Sequence, residues 1–193
     1  MRVIAGTAGG IPLHTPRTDL RPSMEKVRGA IFDSLGDAVP GARVLDLFAG
    51  SGAIGLEALS RGAASVTFVE KDRAAVATIR RNFEKTRLSG NIQASDVFSF
   101  LDRFAAAESF DLIIADPPYS KIPGERDFAP ELLNSDALLR ALAPGGTFVL
   151  EHLPSAPLAL GARWECLRDK RYGATAVAFL RPTPPRAESP RES

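Results

Sequence analysis

"LDLFAGSGAIGLEAL", residues 45–59, decides the fold. Four aliphatic or aromatic side chains surround one acid, then three glycines spell G-x-G-x-x-G at Gly50, Gly52 and Gly55, and an apolar helical pattern follows. This is a strand turning sharply into a helix, with a backbone bare enough for a ligand to approach it closely. The pattern repeats outward from there. "ARVLDLFAG" reads as a strand and "AIGLEALSRG" as a helix stopped by Gly62. "SVTFVE" and "RAAVATIRRNFEKT" form the next strand and helix, and "NIQASD" and "VFSFLDRF" the third pair. "FDLIIAD" is the fourth strand, "APELLNSDALLRAL" the helix after it, and "APGGTFVLEH" a turn into the fifth strand. Strands separated by helices imply an α/β fold, a doubly wound parallel sheet with helices on both faces. Two closing strand-like runs around Gly173–Ala174 add a terminal antiparallel hairpin.

In front of this unit, "RVIAGTAGGIPLHTP" reads as a hairpin or a glycine-rich excursion. "RPSMEKVRGAIFDSL" starts a helix with Ser23 as its N-cap and an apolar stripe of Val27, Ala30, Ile31, Phe32 and Leu35. The expected organisation is an N-terminal extension over 1–22, a catalytic-type domain over 23–181, and a flexible Pro-rich tail over 182–193. With 193 residues, 45% hydrophobic and 24% charged, the chain has the composition of an ordinary globular domain. It has no apolar run of the ~20 residues that cross a bilayer. Cys166 is the sole cysteine, so no internal disulfide forms, and it has no nearby His to activate it. A structural thiol in a reducing, cytoplasmic setting is expected. His14 and His152 are not spaced with other ligands, so no metal is expected.

The glycine loop alone admits NAD or S-adenosylmethionine (SAM). Glu70 closes the second strand twenty residues after Gly50, where an acid accepts from both ribose hydroxyls. Asp46 separates the two ligands. It precedes Gly50 by four residues on the strand end that faces the loop. A pyrophosphate at the helix N-terminus would be repelled by that carboxylate. SAM carries a sulfonium and an ammonium and no phosphate, so Asp46 favours it. Asp96 ends the third strand, beside the expected adenine. Its carboxylate can accept from the adenine amine while the Val97 N–H donates to the ring; equally, it can cap the following helix.

"DPPY", residues 116–119, ends the fourth strand and faces the same crevice. An exocyclic amine of a nucleobase is a poor nucleophile, because its lone pair is delocalised into the ring. Two acceptors on its hydrogens would hold the nitrogen in line with a methyl donor. Asp116 supplies one, and the Pro117 carbonyl the other. Proline fixes its own φ, and Pro118 biases Pro117 toward an extended conformation, so that carbonyl is aimed in advance. Tyr119 offers a flat face for the base.

With "DLFAGSG" and "DPPY" in this order, the chain resembles a class I SAM-dependent methyltransferase of the amino-methylating branch. "RVIAGTAGGIPLHTP", "RPSMEKVRGAIFDSL" and "LDLFAGSGAIGLEALSRGA" narrow the resemblance to the RsmD family of bacterial 16S rRNA guanine-N2 methyltransferases, over residues 2 to about 181. The resemblance implies a Rossmann-like, seven-stranded methyltransferase sheet preceded by a hairpin that helps engage RNA. It places the SAM loop on Asp46, Phe48, Ala49, Gly50, Ser51 and Gly52, the ribose acid on Glu70 with Lys71 beside it, and the catalytic tetrapeptide on Asp116, Pro117, Pro118 and Tyr119. Ser23 stands where the family usually has Thr, Gly29 where it commonly has Glu, and Tyr119 where Phe is frequent. The implied partner is one guanine of small-subunit rRNA, and a monomer with no membrane contact is expected. Over the first 28 residues, basic side chains exceed acids by three, against a net charge of +1 for the chain. Together with this charge, the resemblance implies RNA contacts at Arg2, Arg17, Arg21, Ser23, Lys26 and Arg28, with Lys121 and Arg126 after the tetrapeptide able to meet phosphates. An N6-adenine methyltransferase, a non-catalytic SAM-binding assembly factor and an NAD oxidoreductase are the rival readings.

Overall fold

The computed structural model describes residues 1–15, 22–103, 106–107, 109–119, 126–154 and 158–183. Seven strands form one sheet: β1 (Arg43–Leu47), β2 (Ser65–Val69), β3 (Asn91–Gln93), β4 (Phe110–Ala115), β5 (Leu142–His152), β6 (Trp164–Tyr172) and β7 (Thr175–Pro182). Their spatial order is β3-β2-β1-β4-β5-β7-β6. The first five run parallel, and β7 pairs antiparallel with both β5 and β6. The order reverses between β1 and β4, which places a ligand crevice at their C-terminal ends.

Successive residues of the central strands face opposite layers. Val44, Val66, Phe68 and Ile114 meet α1 (Pro22–Leu35), α2 (Ala53–Ser60) and α3 (Arg73–Thr86) through Phe32, Leu56 and Ile79. Leu45, Leu47, Ile113 and Phe148 meet α4 (Val97–Arg103), α5 (Phe128–Leu133) and α6 (Asp136–Ala141) through Leu101, Leu132 and Leu138. Helix α2 stops at Gly62 as expected. The Ala63 N–H reaches the Ala58 carbonyl at 3.0 Å and the Gly62 N–H the Leu59 carbonyl at 3.0 Å, with Gly62 at φ +96°.

The N-terminal segment is a small hairpin, with Arg2 opposite Pro12. It is anchored on α2. The buried Glu57 carboxylate accepts from the Ile4 and Ala5 N–H groups at 2.7 and 3.1 Å, and Ser60 Oγ accepts from Ala8 at 2.9 Å. Val3, Ala8 and Leu13 join the core of that face.

The structure corrects several boundaries. Helix α1 opens at Pro22, a proline suited to a first turn, so Ser23 lies inside the helix and is not its cap. Residues 129–142 hold two helices, because the Ser135 side chain accepts from Leu138 N–H and caps a fresh start at α6. Strand β3 ends at Gln93; the Ser95 N–H turns back to the Glu70 and Gln93 carbonyls. Cys166 is exposed on the edge strand β6, and desolvation first, then the Asp169 charge, pushes its thiol up. Of the tail expected over 182–193, Pro182 instead ends β7 opposite Trp164, and residues from 184 onward lie outside the described residues.

Candidate active site

At the end of β1 the chain turns through two positive-φ residues in the loop, Phe48 at +60° and Gly50 at +53°, before Gly52 at +78° opens α2. Glycine relieves the second and third. At Phe48 the left-handed backbone carries a large side chain, a strain that surrounding structure must hold. Here the ring packs edge-on against Phe128 at 5.1 Å. The loop is braced by hydrogen bonds. Ala49 N–H donates to the Val69 carbonyl at 3.0 Å, Gly52 N–H to Ala49 at 2.7 Å, and Asn82 Nδ2 to the Ser51 carbonyl at 2.9 Å. Asn82 also bonds His14 at both backbone groups, so the hairpin and the loop share one buried support. Gly55 serves packing: a Cβ there would lie 2.2 Å from the Phe68 ring. At Gly50 the nearest atom to such a Cβ is 3.9 Å away, so this glycine fronts open space.

Glu70 sits beside the loop, accepting from Gly50 N–H and Asp72 N–H, each at 2.8 Å. Lys71 follows it and is exposed. Asp96 takes Phe98 and Ser99 N–H groups on Oδ1 at 3.1 and 3.3 Å, so it does cap α4, while Oδ2 accepts nothing among the described residues. Val97 behind it is buried.

Asp46 is fully buried, with Oδ2 accepting from Gly55 N–H at 2.9 Å and Oδ1 without any partner among the described residues. Burial foremost, and then the Glu70 charge, push its carboxyl up to about 7, against the pull of the Gly55 N–H.

Across the switch point, Asp116 and Tyr119 are half-buried, Pro117 is buried and Pro118 exposed. The Tyr119 hydroxyl donates to Glu151 Oε1 at 2.9 Å and also meets the Thr175 hydroxyl. Burial, with the Glu151 and Asp116 charges, holds this phenol above the ordinary tyrosine range, so it stays neutral and available as a donor. The ring is thereby fixed over the ends of β5 and β7. It borders a cavity of about 130 Å³ lined also by Pro117, Pro118, Glu151, His152 and Leu153.

In sheet order, the strand ends of β3, β2, β1, β4 and β5 carry Asp96, Glu70, Gly50, Asp116 and Glu151. They follow one another along the C-terminal edge of the parallel strands, where open α/β sheets take their ligands. The cationic set expected against RNA is not gathered in this way. Arg2 and Lys26 are exposed near the hairpin. Arg28 is a correction: it is 4% exposed, donates to the Arg2 carbonyl and lies 3.7 Å from Glu57, so it secures the hairpin and does not face solvent. Arg126 forks onto Glu131 at 2.8 and 2.6 Å and lies over Phe98 and Phe128, which sets it on the Asp96 side. Arg17, Arg21 and Lys121 lie outside the described residues, as does the side chain of Ser23.

Glu151, Thr175, Asn82 and Glu57 are the site and support residues that sequence reasoning missed. Glu151 did carry a signal: "TFVLEH" ends an apolar strand on an acid, as "DLIIAD" does.

A phosphate-free cation fits this cradle. An orphaned carboxylate oxygen lies beneath the loop, a bare glycine fronts the crevice, and an acid ends the neighbouring strand. Sheet, loop and strand-end acids define a class I SAM-dependent methyltransferase.

Comparisons place it further. A family model described as conserved hypothetical protein 95 matches residues 1–181. The YlbH protein of Bacillus subtilis is 40% identical over 187 residues, 94% of this chain and 98% of its own. Ribosomal RNA small subunit methyltransferase D of Escherichia coli K12 is 35% identical over 181 residues, 91% of this chain and 87% of its own. Among solved structures, the 16S rRNA N2 G1207 methyltransferase RsmC of Thermus thermophilus, in complex with AdoMet and guanosine, superposes with a TM-score of 0.68. It is 30% identical, and the match covers 84% of this chain and 43% of that one. The chain belongs to the RsmD family of SAM-dependent rRNA methyltransferases.

Proposed function

We propose that the protein transfers a methyl group from SAM to the exocyclic N2 amine of a guanine in small-subunit ribosomal RNA. The observation that carries this is the placement of Asp116–Tyr119 at the end of β4, directly across the switch point from the glycine loop on β1. Gly50, Glu70, Asp96 and the buried Asp46 would hold the cofactor. It supplies an electrophilic methyl on a sulfonium. Asp116 and the Pro117 carbonyl accept the two amine hydrogens and aim the nitrogen. The anchored Tyr119 ring stacks the base. As positive charge develops on that nitrogen, the Asp116 carboxylate favours it, so the protein contributes positioning and electrostatics.

Guanine is supported by the resemblance of the first 70 residues to RsmD enzymes and by the likeness to a structure that holds guanosine. Action as a monomer is part of this reading, and ribosomal RNA as substrate supports a cytoplasmic setting. Arg2 and Lys26 are the described candidates for pairing with RNA phosphates.

The test is transfer of tritiated methyl from SAM to small ribosomal subunits from cells lacking the native enzyme, followed by digestion to nucleosides. Label in N2-methylguanosine is expected. Label in N6-methyladenosine would keep the mechanism and overturn the base. SAM binding with no transfer to subunits, naked rRNA or DNA would favour a non-catalytic assembly factor.

A further inference from the structure

The cavity beside Tyr119 contains an acid that the methyl-transfer step does not use. Ala115 of β4 lies opposite Leu150 of β5 in parallel register. Asp116 and Glu151 are the residues that follow this pair on the two neighbouring strands, and both charges act on the Tyr119 hydroxyl. Glu151 Oε1 is engaged by the hydroxyls of Tyr119 and Thr175, each at 2.9 Å. Its Oε2 accepts no hydrogen bond among the described residues and is not sealed from the cavity. The neighbouring His152 is turned elsewhere, with its ring nitrogens 3.1 Å from the Leu153 carbonyl and 3.2 Å from Asp169.

The atom next to the exocyclic amine differs between the two candidate bases. In guanine it is N1–H, a donor. In adenine it is N1 with a bare lone pair, an acceptor. A second carboxylate beside the one that holds the amine satisfies guanine and repels adenine. We infer that Glu151 accepts the N1–H of the target base and so selects guanine over adenine. This rests on the proposed reading that Asp116 and Pro117 hold the exocyclic amine. Sites built to hydrogen-bond a substrate N–H discriminate strongly, because the analogue leaves a buried group unpaired.

The competing role for Glu151 is to anchor Tyr119 alone. Glu151→Gln separates the two, since its amide keeps an acceptor for Tyr119 while presenting N–H to the base. Tyr119→Phe removes the anchor and leaves the carboxylate. Both variants and the wild type are assayed on hypomethylated small subunits, and on subunits whose mapped target guanine is mutated to adenine. SAM dissociation constants are measured alongside. Glu151→Gln should bind SAM as the wild type does. Its kcat/KM on guanine should fall on the order of 10- to 100-fold. Its adenine-to-guanine ratio should rise at least about tenfold, read as N6-methyladenosine against N2-methylguanosine. Tyr119→Phe should leave that ratio unchanged. If the glutamine variant does not fold, Glu151→Ala must show the same rise. Wild-type formation of N2-methylguanosine with no change of ratio in any Glu151 variant overturns the inference alone. Wild-type formation of N6-methyladenosine on native subunits overturns the proposed function, and the inference with it.

Discussion

Asp46 carries the clearest consequence of burial for a single residue. Its folded carboxyl titrates near 7, well above the ~3.9 of an unfolded aspartate. A raised carboxyl binds its proton more tightly in the folded state. Stability from this group is thus present at low pH and is lost as pH rises from about 4 through about 7, by roughly 4 kcal/mol at most. The thermal midpoint of the ligand-free wild type should fall across that window more than that of Asp46→Asn. A cation in the cradle favours the ionised form, so SAM affinity should tighten with pH up to about 7, and Asp46→Asn should bind more weakly and lose the dependence. A pH-independent dissociation constant in the wild type would remove Asp46 from cofactor binding. Asp116 is proposed to act on the other substrate. Asp116→Ala should keep SAM affinity and lose turnover by about 10²- to 10³-fold in a single-turnover assay; unimpaired turnover would end its catalytic assignment. The place of Asp116 at the end of β4 was legible because the apolar run "FDLIIAD" stops on an acid. The apolar run of β5 stops on Glu151 in the same way, but without a Pro-Pro-Tyr beside it, and its partners Thr175 and Tyr119 meet it only in the fold.

Among the elements, α2 joins the hairpin, the loop and the sheet. Its Glu57 is fully buried and serves Ile4, Ala5 and Arg61 while facing Arg28. Glu57→Ala would leave the Arg28 guanidinium buried without its charge partner. The expected loss is about 3–5 kcal/mol in denaturant unfolding, with early proteolysis of the hairpin. A loss below about 1 kcal/mol would show that the hairpin is held by apolar packing alone. Gly55→Ala would push a methyl into the Phe68 ring, for a cost of about 1–3 kcal/mol. The alternation of strands and helices was legible because strands buried on both faces are apolar throughout. The break between α5 and α6 was not. Leu132, Leu133, Leu138 and Ala141 keep a helical apolar pattern through it, and only the Ser135 cap reveals the restart. The role of Arg28 was hidden for a related reason: its partner lies on a different helix, and nothing local marks it as buried.

For the whole molecule, a net charge of +1 gives no general attraction to a polyanion, so RNA affinity must come from local surface. Near the hairpin, burial divides the basic residues. Arg28 is internal, while the Arg2 side chain is 67% exposed and Lys26 is exposed on α1. The two groups should respond differently to mutation. Removing one phosphate-neutralising cation lowers the slope of log affinity against log salt by roughly 0.7–0.9. Arg2→Ala with Lys26→Ala should therefore weaken binding to small subunits and reduce that slope by up to about 2, while SAM affinity and thermal stability hold. The backbone bond from Arg2 N–H to Glu25 survives the substitution. Arg28→Ala should show the opposite pattern, a lower thermal midpoint with the salt slope unchanged in whatever fraction stays folded. If the double variant keeps the full wild-type slope, the RNA-facing surface lies away from this hairpin. The exposed Arg168, Lys170 and Arg171 of β6 would then be the next cations to replace, because the turn joining β6 to β7 sits at the same sheet end as Thr175 and the Tyr119 hydroxyl.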